Sequence, residues 1–259
     1  MAPAWPWSRT GRVRGEPGSA NGASSFHLTW QLDDEEPLVE VAAVLEVVVP
    51  PSVDRLYFWA LQASFLDEAG RDRGAGHVGL QWNGRHPDSR AVNWGGYAPI
   101  GQVLAGSPST LPSTPGDPNT RDYGWESGRR YRLRIAPAPG PPGRWLGEVA
   151  DLAAGRATVV RHLEAGGDRL GAPLVWSEVF ARCEHPSVTV RWSGLEVVTA
   201  SGRRLSPAGL TVSYEPGRAG GCDNTTVAAD DVGVLQVTST ARTVSTGTSI
   251  GLRPGGLPG

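Results

Sequence analysis

The feature that most constrains the fold is a strict alternation of apolar and polar residues over short segments. In GRRYRLRIA, the apolar side chains of Tyr131, Leu133 and Ile135 alternate with arginines. SVTVRW at residues 187–192 and FHLTWQL at residues 26–32 repeat the pattern. Successive side chains of a β-strand point to opposite faces, so each segment predicts a strand with one buried and one solvated face. Helical periodicity is scarce, and an all-β chain is therefore predicted.

Glycine and proline separate these segments. The 259 residues include 35 glycines and 22 prolines, which mark turns. About a dozen short strands joined by turns predict an antiparallel β-sandwich of the jelly-roll type. The predicted domain covers residues 25–252, between a flexible N-terminal arm at 1–24 and a flexible tail at 253–259. A loop rich in proline, serine, threonine and glycine, residues 98–124, is expected to be a mobile surface excursion.

The composition excludes several classes of function. The net charge of −2 gives no electrostatic basis for binding nucleic acid or an anionic membrane surface. The chain contains no lysine, which excludes Schiff-base enzymes and nucleotide hydrolases with a phosphate-loop lysine. No apolar run approaches the ~20 residues of a membrane span. The first residues contain no readable signal peptide, which on its own favours a cytoplasmic location.

Aromatic and amide side chains are concentrated in a predicted hairpin between residues 55 and 84. On its first strand, Tyr57, Trp59 and Phe65 share a face that is predicted to be core. On its second strand, apolar residues alternate with polar ones. Carboxamides can bridge the hydroxyl groups of a sugar while rings stack on its apolar faces. The candidate ligand-binding residues are Gln81, Trp82, Asn83, Trp94 and Tyr97.

Two further features concern metal binding and disulfide formation. The segment CDNTTVAADD offers oxygen ligands of the kind that calcium prefers, although an exposed polar loop is the alternative interpretation. Two cysteines could form one disulfide or remain two reduced thiols. The candidate calcium ligands are Asp223, Asn224, Asp230 and Asp231, and the disulfide candidates are Cys183 and Cys222.

Catalytic motifs find little support. GTSIG at residues 247–251 matches the nucleophile-elbow pattern but has no histidine after it. The five histidines lack metal-binding spacing. Glu126, Glu148 and Glu178 are the candidate acids of a glycan-active enzyme, without the spacing of a carboxylate pair on one strand.

Six short motifs follow one another in an order that resembles a known family. They are YFWALQASF, GHVGLQWNG, RAVNWGG, GWESGRRYRLRI, RWLGEVAD and WSEVFARC. The order resembles the uncharacterised family called domain of unknown function 3472, over residues 26–200. The resemblance implies a concanavalin A-like jelly roll, the architecture of legume lectins and laminin G modules. It also makes an extracellular location an alternative to the cytoplasmic one. The long loop at 98–124 departs from the family pattern.

Three functions remain open at this point. The first is a non-catalytic, lectin-like module that binds a glycan or polysaccharide. The second is a protein-interaction or structural domain without a small ligand, and the third is a glycoside hydrolase or lyase-like enzyme on the same fold. No cofactor other than calcium is expected. The sequence does not define the oligomeric state.

Overall fold

The computed structural model describes residues 11–112, 116–253 and 257–258, and almost all of its regular structure is β-strand. Two 3-10 turns, Pro87–Ser89 and Gly217–Ala219, interrupt the strands. The strands are β1 Ser24–Gln31, β2 Leu38–Val49, β3 Tyr57–Leu66, β4 Asp72–Trp82, β5 Arg90–Tyr97, β6 Thr120–Asp122, β7 Arg130–Pro137, β8 Arg144–Asp151, β9 Arg156–Glu164, β10 Arg169–Val179, β11 Thr189–Thr199, β12 Arg204–Leu205, β13 Gly209–Tyr214, β14 Thr226–Ala229, β15 Val234–Val237, β16 Ser249–Arg253 and β17 Leu257–Pro258.

The strands form two antiparallel layers. The first layer has the order β16-β13-β1-β10-β3-β4-β5-β6. The second has the order β9-β8-β7-β2-β11-β15-β14, with β12 beside β11. A single pair, Leu170 with Leu38, joins β10 of the first layer to β2 of the second. The predicted all-β antiparallel sandwich is confirmed. No helix among the described residues is long and apolar enough to cross a membrane.

The core lies between the two layers and follows the predicted alternation. Tyr57, Trp59 and Phe65 on β3 are all buried, together with the leucine and alanine between them. Trp94 on β5 is fully buried and meets Phe65 edge-on at 6.5 Å between ring centroids. Gly147 on β8 completes the contact, since a Cβ there would lie 2.4 Å from the Trp94 ring. The glycine of RWLGEVAD therefore allows an indole from the facing layer to pack against the β8 backbone.

One buried amide connects the layers through hydrogen bonds. Gln236 on β15 is 1% exposed, and its Oε1 accepts hydrogen bonds from Ser177 on β10 and from the Trp192 indole on β11. Its Nε2 donates to the carbonyl of Phe26 on β1. Because β1 and β10 belong to the first layer and β11 and β15 to the second, this amide satisfies polar groups of both layers inside the core.

The N-terminal segment differs from the predicted flexible arm. Residues 1–10 lie outside the described residues, but residues 11–24 are tied to the domain by hydrogen bonds. Gly15 donates to the Glu184 carboxylate and its carbonyl accepts from the amide of Cys183. The amide of Cys222 donates to the Ser24 hydroxyl. Cys183 and Cys222 are joined in a disulfide, with 5.5 Å between their Cα atoms. The hydrogen bonds from Cys183 to Gly15 and from Cys222 to Ser24 therefore connect the N-terminal segment to both halves of this disulfide.

The loop at 98–124 also differs from a mobile excursion over its described part. Val103 forms a β-bridge with Tyr97, Gly106 forms one with Leu163, and residues 120–122 form strand β6. Leu104 and Leu111 are partly buried against the core and supply the apolar anchors of the loop. In the predicted tail, Leu257–Pro258 pairs with the preceding strand.

Candidate functional site

A cleft of about 610 Å³ lies on the outer face of the first layer, on the side of the sheet away from the core. Strands β1, β10, β3, β4 and β5 form its base, and the segment leading into β6 forms one wall. Its 17 lining residues are Asn21, His27, Leu56, Phe58, Gln62, His77, Gln81, Asn83, Arg85, Asn93, Tyr97, Asp117, Asn119, Thr120, Trp176, Glu178 and Phe180.

Side-chain amides are concentrated in this cleft. The chain contains five asparagines and five glutamines, all within the described residues. Six of these ten carboxamides line the cleft. An even distribution over 259 residues would place fewer than one of them among 17 lining residues. A carboxamide offers both donors and acceptors without net charge, so the wall is equipped to bind neutral polar groups.

The base of the cleft is an aromatic cluster. Trp176 lies 4.8 Å from Phe58 and 5.6 Å from His77, measured between ring centroids, and both contacts are edge-on. The Trp176 indole donates to Gln62 Oε1 at 3.0 Å, which fixes its orientation. Tyr97 follows at the lip, 6.1 Å from His77, and is 49% exposed. The cleft therefore combines a rigid apolar base with one ring that is accessible for stacking.

The strand register explains why these residues meet. Glu178 on β10, Phe58 on β3 and Gln81 on β4 are direct neighbours across the three strands. Gln81 Oε1 in turn accepts from the amide of Asn83 at 3.0 Å. Every second residue along a strand returns to the same face, so these side chains share the outer face while their sequence neighbours enter the core.

Burial disfavours the charged forms of three ionisable residues in the cleft. Desolvation raises the pKa of Glu178, and the nearby Glu215 carboxylate raises it further. Enclosure by rings lowers the pKa of His77 to about 4, and burial also lowers the pKa of His27. Removal of a charge from water disfavours the ionised form in each case. Burial therefore disfavours a negative charge on one carboxyl group of the cleft and a positive charge on two of its imidazoles.

The outer face of the second layer has the opposite character. Arg132 and Arg134 on β7 both bind Glu40 on β2, at 3.3 and 2.7 Å. Arg191 on β11 binds Glu46 on β2 at 2.6 Å. This face carries charges that are paired with one another, as expected of a solvated surface. The outer face of the first layer is neutral and concave, and it is the better candidate for ligand binding.

Three of the five predicted ligand-binding residues line the cleft. Gln81, Asn83 and Tyr97 do so, whereas Trp82 and Trp94 do not. Trp94 lies in the core, and the Trp82 indole donates to the carbonyl of Val53 on the core side of β4. The reason is strand parity: Trp82 follows Gln81 directly, so the two side chains must lie on opposite faces.

The predicted calcium ligands have separate partners in the structure. Asp223 accepts from the amide of Arg12 and pairs with Arg242 at 3.4 Å. Asp230 binds Arg191 at 2.7 Å, and the Asn224 amide donates to the carbonyl of Cys183. Asp231 is exposed. The described residues contain no cluster of three or more His, Cys, Asp or Glu side chains suited to a metal ion. Calcium binding stays a prediction.

Several residues that line the cleft are not predicted by the sequence patterns. Asn21, Asn93, Asn119 and Trp176 come from the N-terminal segment, β5, the loop before β6, and β10. Asn21 and Trp176 reach the cleft through the pairing of β10 with β1 and β3, across more than a hundred residues, which local periodicity does not reveal. The scarcity of amides elsewhere in the chain was a usable signal. Of the three candidate acids, Glu178 alone lines the cleft; Glu126 pairs with Arg129 and Glu148 with Arg134.

Comparisons with known proteins give structural similarity only. No family model matches the chain, and no curated protein sequence matches it. Scytalido-glutamic peptidase with a peptide-based transition-state analogue has 8% identity and a TM-score of 0.47, covering 83% of this chain and 98% of that one. SCP-B, a member of the eqolisin family of peptidases in complex with a tripeptide, has 9% identity and a TM-score of 0.43, with the same coverage. A second scytalido-glutamic peptidase complex has 10% identity and a TM-score of 0.42, covering 87% of this chain and 98% of that one. Similarities at this level carry no inference about activity.

Proposed function

We propose that this β-sandwich protein binds a carbohydrate in the cleft on the outer face of its first layer. The observation that carries the proposal is the convergence of six of the chain's ten carboxamides on one concave surface with an aromatic base. A saccharide presents hydroxyl groups that both donate and accept, together with apolar C–H faces. Carboxamides complement the former, and the accessible Tyr97 ring complements the latter.

The electrostatics favour a neutral saccharide over a charged one. The charged lining residues are Arg85, Asp117 and Glu178, and burial favours the uncharged form of Glu178. Asp117 Oδ1 accepts from the backbone amides of Asn119 and Thr120, so this carboxylate also shapes the wall. The lining therefore offers few fixed charges to a ligand and many uncharged hydrogen-bonding groups.

A glycan array tests the proposal, run once with calcium and once with a chelator. We expect wild-type protein to bind neutral glycans and Tyr97→Ala to weaken binding about tenfold, because one stacking surface is lost. Gln102→Ala is the matched control, since Gln102 is exposed and lies outside the cleft lining. Binding that is abolished by the chelator would support the calcium prediction for the segment at 223–231. An array without any bound glycan would overturn the proposal.

A second candidate function rests on Glu178. A carboxyl group with a raised pKa inside a cleft is typical of a general acid, so the same cleft could belong to a hydrolase. Glu178 Oε1 accepts from the amide of Asn21 at 3.1 Å, which holds the carboxyl group in place. This candidate shares the ligand site with the first and adds bond cleavage to it.

Glu178→Gln separates the two candidates, because it keeps the shape of the side chain and removes the acid. A hydrolase would release reducing sugar from the array-positive glycan, and Glu178→Gln would abolish release while binding persists. Glu126→Gln is the control, since Glu126 lies outside the cleft and pairs with Arg129. Wild-type protein that binds the glycan without cleaving it after prolonged incubation at pH 4 to 8 would exclude the hydrolase.

A further inference from the structure

We propose that Asn93 determines the specificity of the cleft. Together with Thr120, it forms hydrogen bonds to one hydroxyl group of the bound saccharide. The inference rests on the carbohydrate-binding function proposed above and goes beyond it by assigning recognition to a single amide. The evidence is the burial of Asn93, its incomplete hydrogen bonding and the small residues around it.

Asn93 has a polar atom that no other group satisfies. Its side chain is 7% exposed, and its Nδ2 donates to the Thr120 hydroxyl at 2.9 Å. Its Oδ1 is buried and has no hydrogen-bond partner among the described residues. Among the described residues that line the cleft, Asn93 is the only one with such an atom. If the amide were turned over, its nitrogen would be the unpaired group, so one polar atom is left over in either orientation.

The strand neighbours of Asn93 provide no hydrogen-bond partner for that buried atom. Its cross-strand neighbour on β4 is Gly79, and its neighbours on the same face of β5 are Ala91 and Gly95. None of these three residues has a side chain that reaches a hydrogen-bonding atom. Thr120, on the other side, supplies the one side-chain partner that Asn93 has in the described part of the chain. The β-sheet thus surrounds this amide with small residues, and the Asn119 side chain lies against Gly95.

The energetics argue that a ligand completes the bonding. A buried polar group without a partner is destabilising, so an apolar residue at position 93 would be the more stable choice. Binding sites often keep residues that lower the stability of the free protein, and a ligand that binds the folded state stabilises it. The Asn93–Thr120 pair offers an acceptor and a hydroxyl side by side. A sugar hydroxyl, which donates and accepts at once, matches this pair.

The experiment uses the 259-residue chain and the neutral oligosaccharide that binds most strongly on the glycan array, together with analogues in which single hydroxyl groups are replaced by hydrogen. We expect Asn93→Ala to weaken binding of the parent oligosaccharide at least about tenfold. We also expect wild-type protein to discriminate against one deoxy analogue by a similar factor, and Asn93→Ala to lose that discrimination. Gln102→Ala, at an exposed amide outside the cleft, should behave as wild type.

A double variant distinguishes recognition from a structural role. Asn93→Leu with Thr120→Val removes both partners together, so we expect an unchanged or raised urea midpoint with loss of binding. An unfolded double variant would overturn the inference, because Asn93 would then be required for folding. Full affinity and unchanged discrimination in Asn93→Ala would overturn this inference but not the carbohydrate-binding proposal. A wild-type protein that binds no glycan would overturn the carbohydrate-binding proposal and this inference with it.

Discussion

Neighbouring aromatic residues on β5 have opposite roles that depend on the direction of the side chain. Trp94 is fully buried against Phe65 and Gly147, whereas Tyr97, three residues later, is half exposed at the lip of the cleft. We predict that Trp94→Ala costs about 3–5 kcal/mol of unfolding free energy through the cavity it leaves, whereas Tyr97→Ala costs less than about 1 kcal/mol. Urea unfolding followed by fluorescence measures both. Equal losses for the two variants would contradict the assignment of their roles.

The pH dependence of stability is also set by single residues. Burial lowers the pKa of His77 to about 4 in the folded state, whereas in the unfolded state it is about 6.5. As the pH falls below about 6.5, the unfolded state therefore binds a proton at His77 before the folded state does. The contribution of neutral His77 is complete above pH 6.5 and is lost as the pH falls toward 4. His27 acts in the same direction. Glu178 has a raised pKa and acts in the opposite direction, with stability lost as the pH rises.

We therefore predict that His77→Phe reduces the acid-induced loss of stability. The variant keeps a ring against Phe58 and Trp176 but cannot take up a proton. The difference between variant and wild type should grow by up to about 3 kcal/mol in favour of the variant between pH 7 and pH 4. Urea midpoints at pH 8, 7, 5.5 and 4 test this, and the values at pH 8 serve as the reference. Parallel curves for the two proteins would show that His77 does not titrate in this window.

At the scale of elements, the strands were predictable and their partners were not. The faces of β3, β4 and β7 follow the alternation of Tyr57–Leu66, Asp72–Trp82 and Arg130–Pro137, because side-chain direction is a local property. The pairing of β10 with β1 and β3, which brings Trp176 and Glu178 into the cleft, is decided by packing of the whole sheet. Composition also does not predict which loop residues, such as Leu104, pack against the core.

The N-terminal segment shows the same dependence on distant partners. Its glycines and serines indicate flexibility, but four hydrogen bonds hold it: Gly15 bonds to Glu184 and Cys183, Gly18 to Gly220, and Ser24 to Cys222. These partners flank the disulfide on both sides. The order of residues 11–24 is therefore a property of the disulfide-linked region, which sequence composition does not show.

We predict that removal of the disulfide loosens this segment as well as the fold. Cys183 and Cys222 are separated by 39 positions, and a cross-link of that span stabilises by about 3–4 kcal/mol in the chain-entropy model. The double substitution of both cysteines by serine should lower the urea midpoint. It should also speed amide hydrogen exchange at Gly15 and Gly18, with wild type under reducing conditions as the control. Unchanged exchange at these two amides would show that the segment is held independently.

At the scale of the whole molecule, the two layers have different outer faces but share one polar connection through the core. Gln236 satisfies Ser177, Trp192 and the carbonyl of Phe26, which belong to both layers. A fully satisfied buried amide of this kind favours one relative placement of the layers over others, since any shift leaves buried groups unpaired. Two of the strands that it bonds to, β1 and β10, also contribute to the base of the cleft.

Gln236→Leu should therefore destabilise the molecule as a unit. The substitution keeps a similar volume but leaves the Trp192 indole, the Ser177 hydroxyl and the Phe26 carbonyl without their partner, and we predict a loss of about 2–5 kcal/mol. Coincident urea transitions by far-UV circular dichroism and tryptophan fluorescence, with an unchanged slope, would show that both layers still unfold together. Gln31→Leu is the matched control, because Gln31 bonds to Thr211 and Ser249 near the protein surface. If the two variants lose the same amount, the core amide has no special role in joining the layers. If Gln236→Leu alone separates the two transitions, the layers are coupled chiefly through this residue.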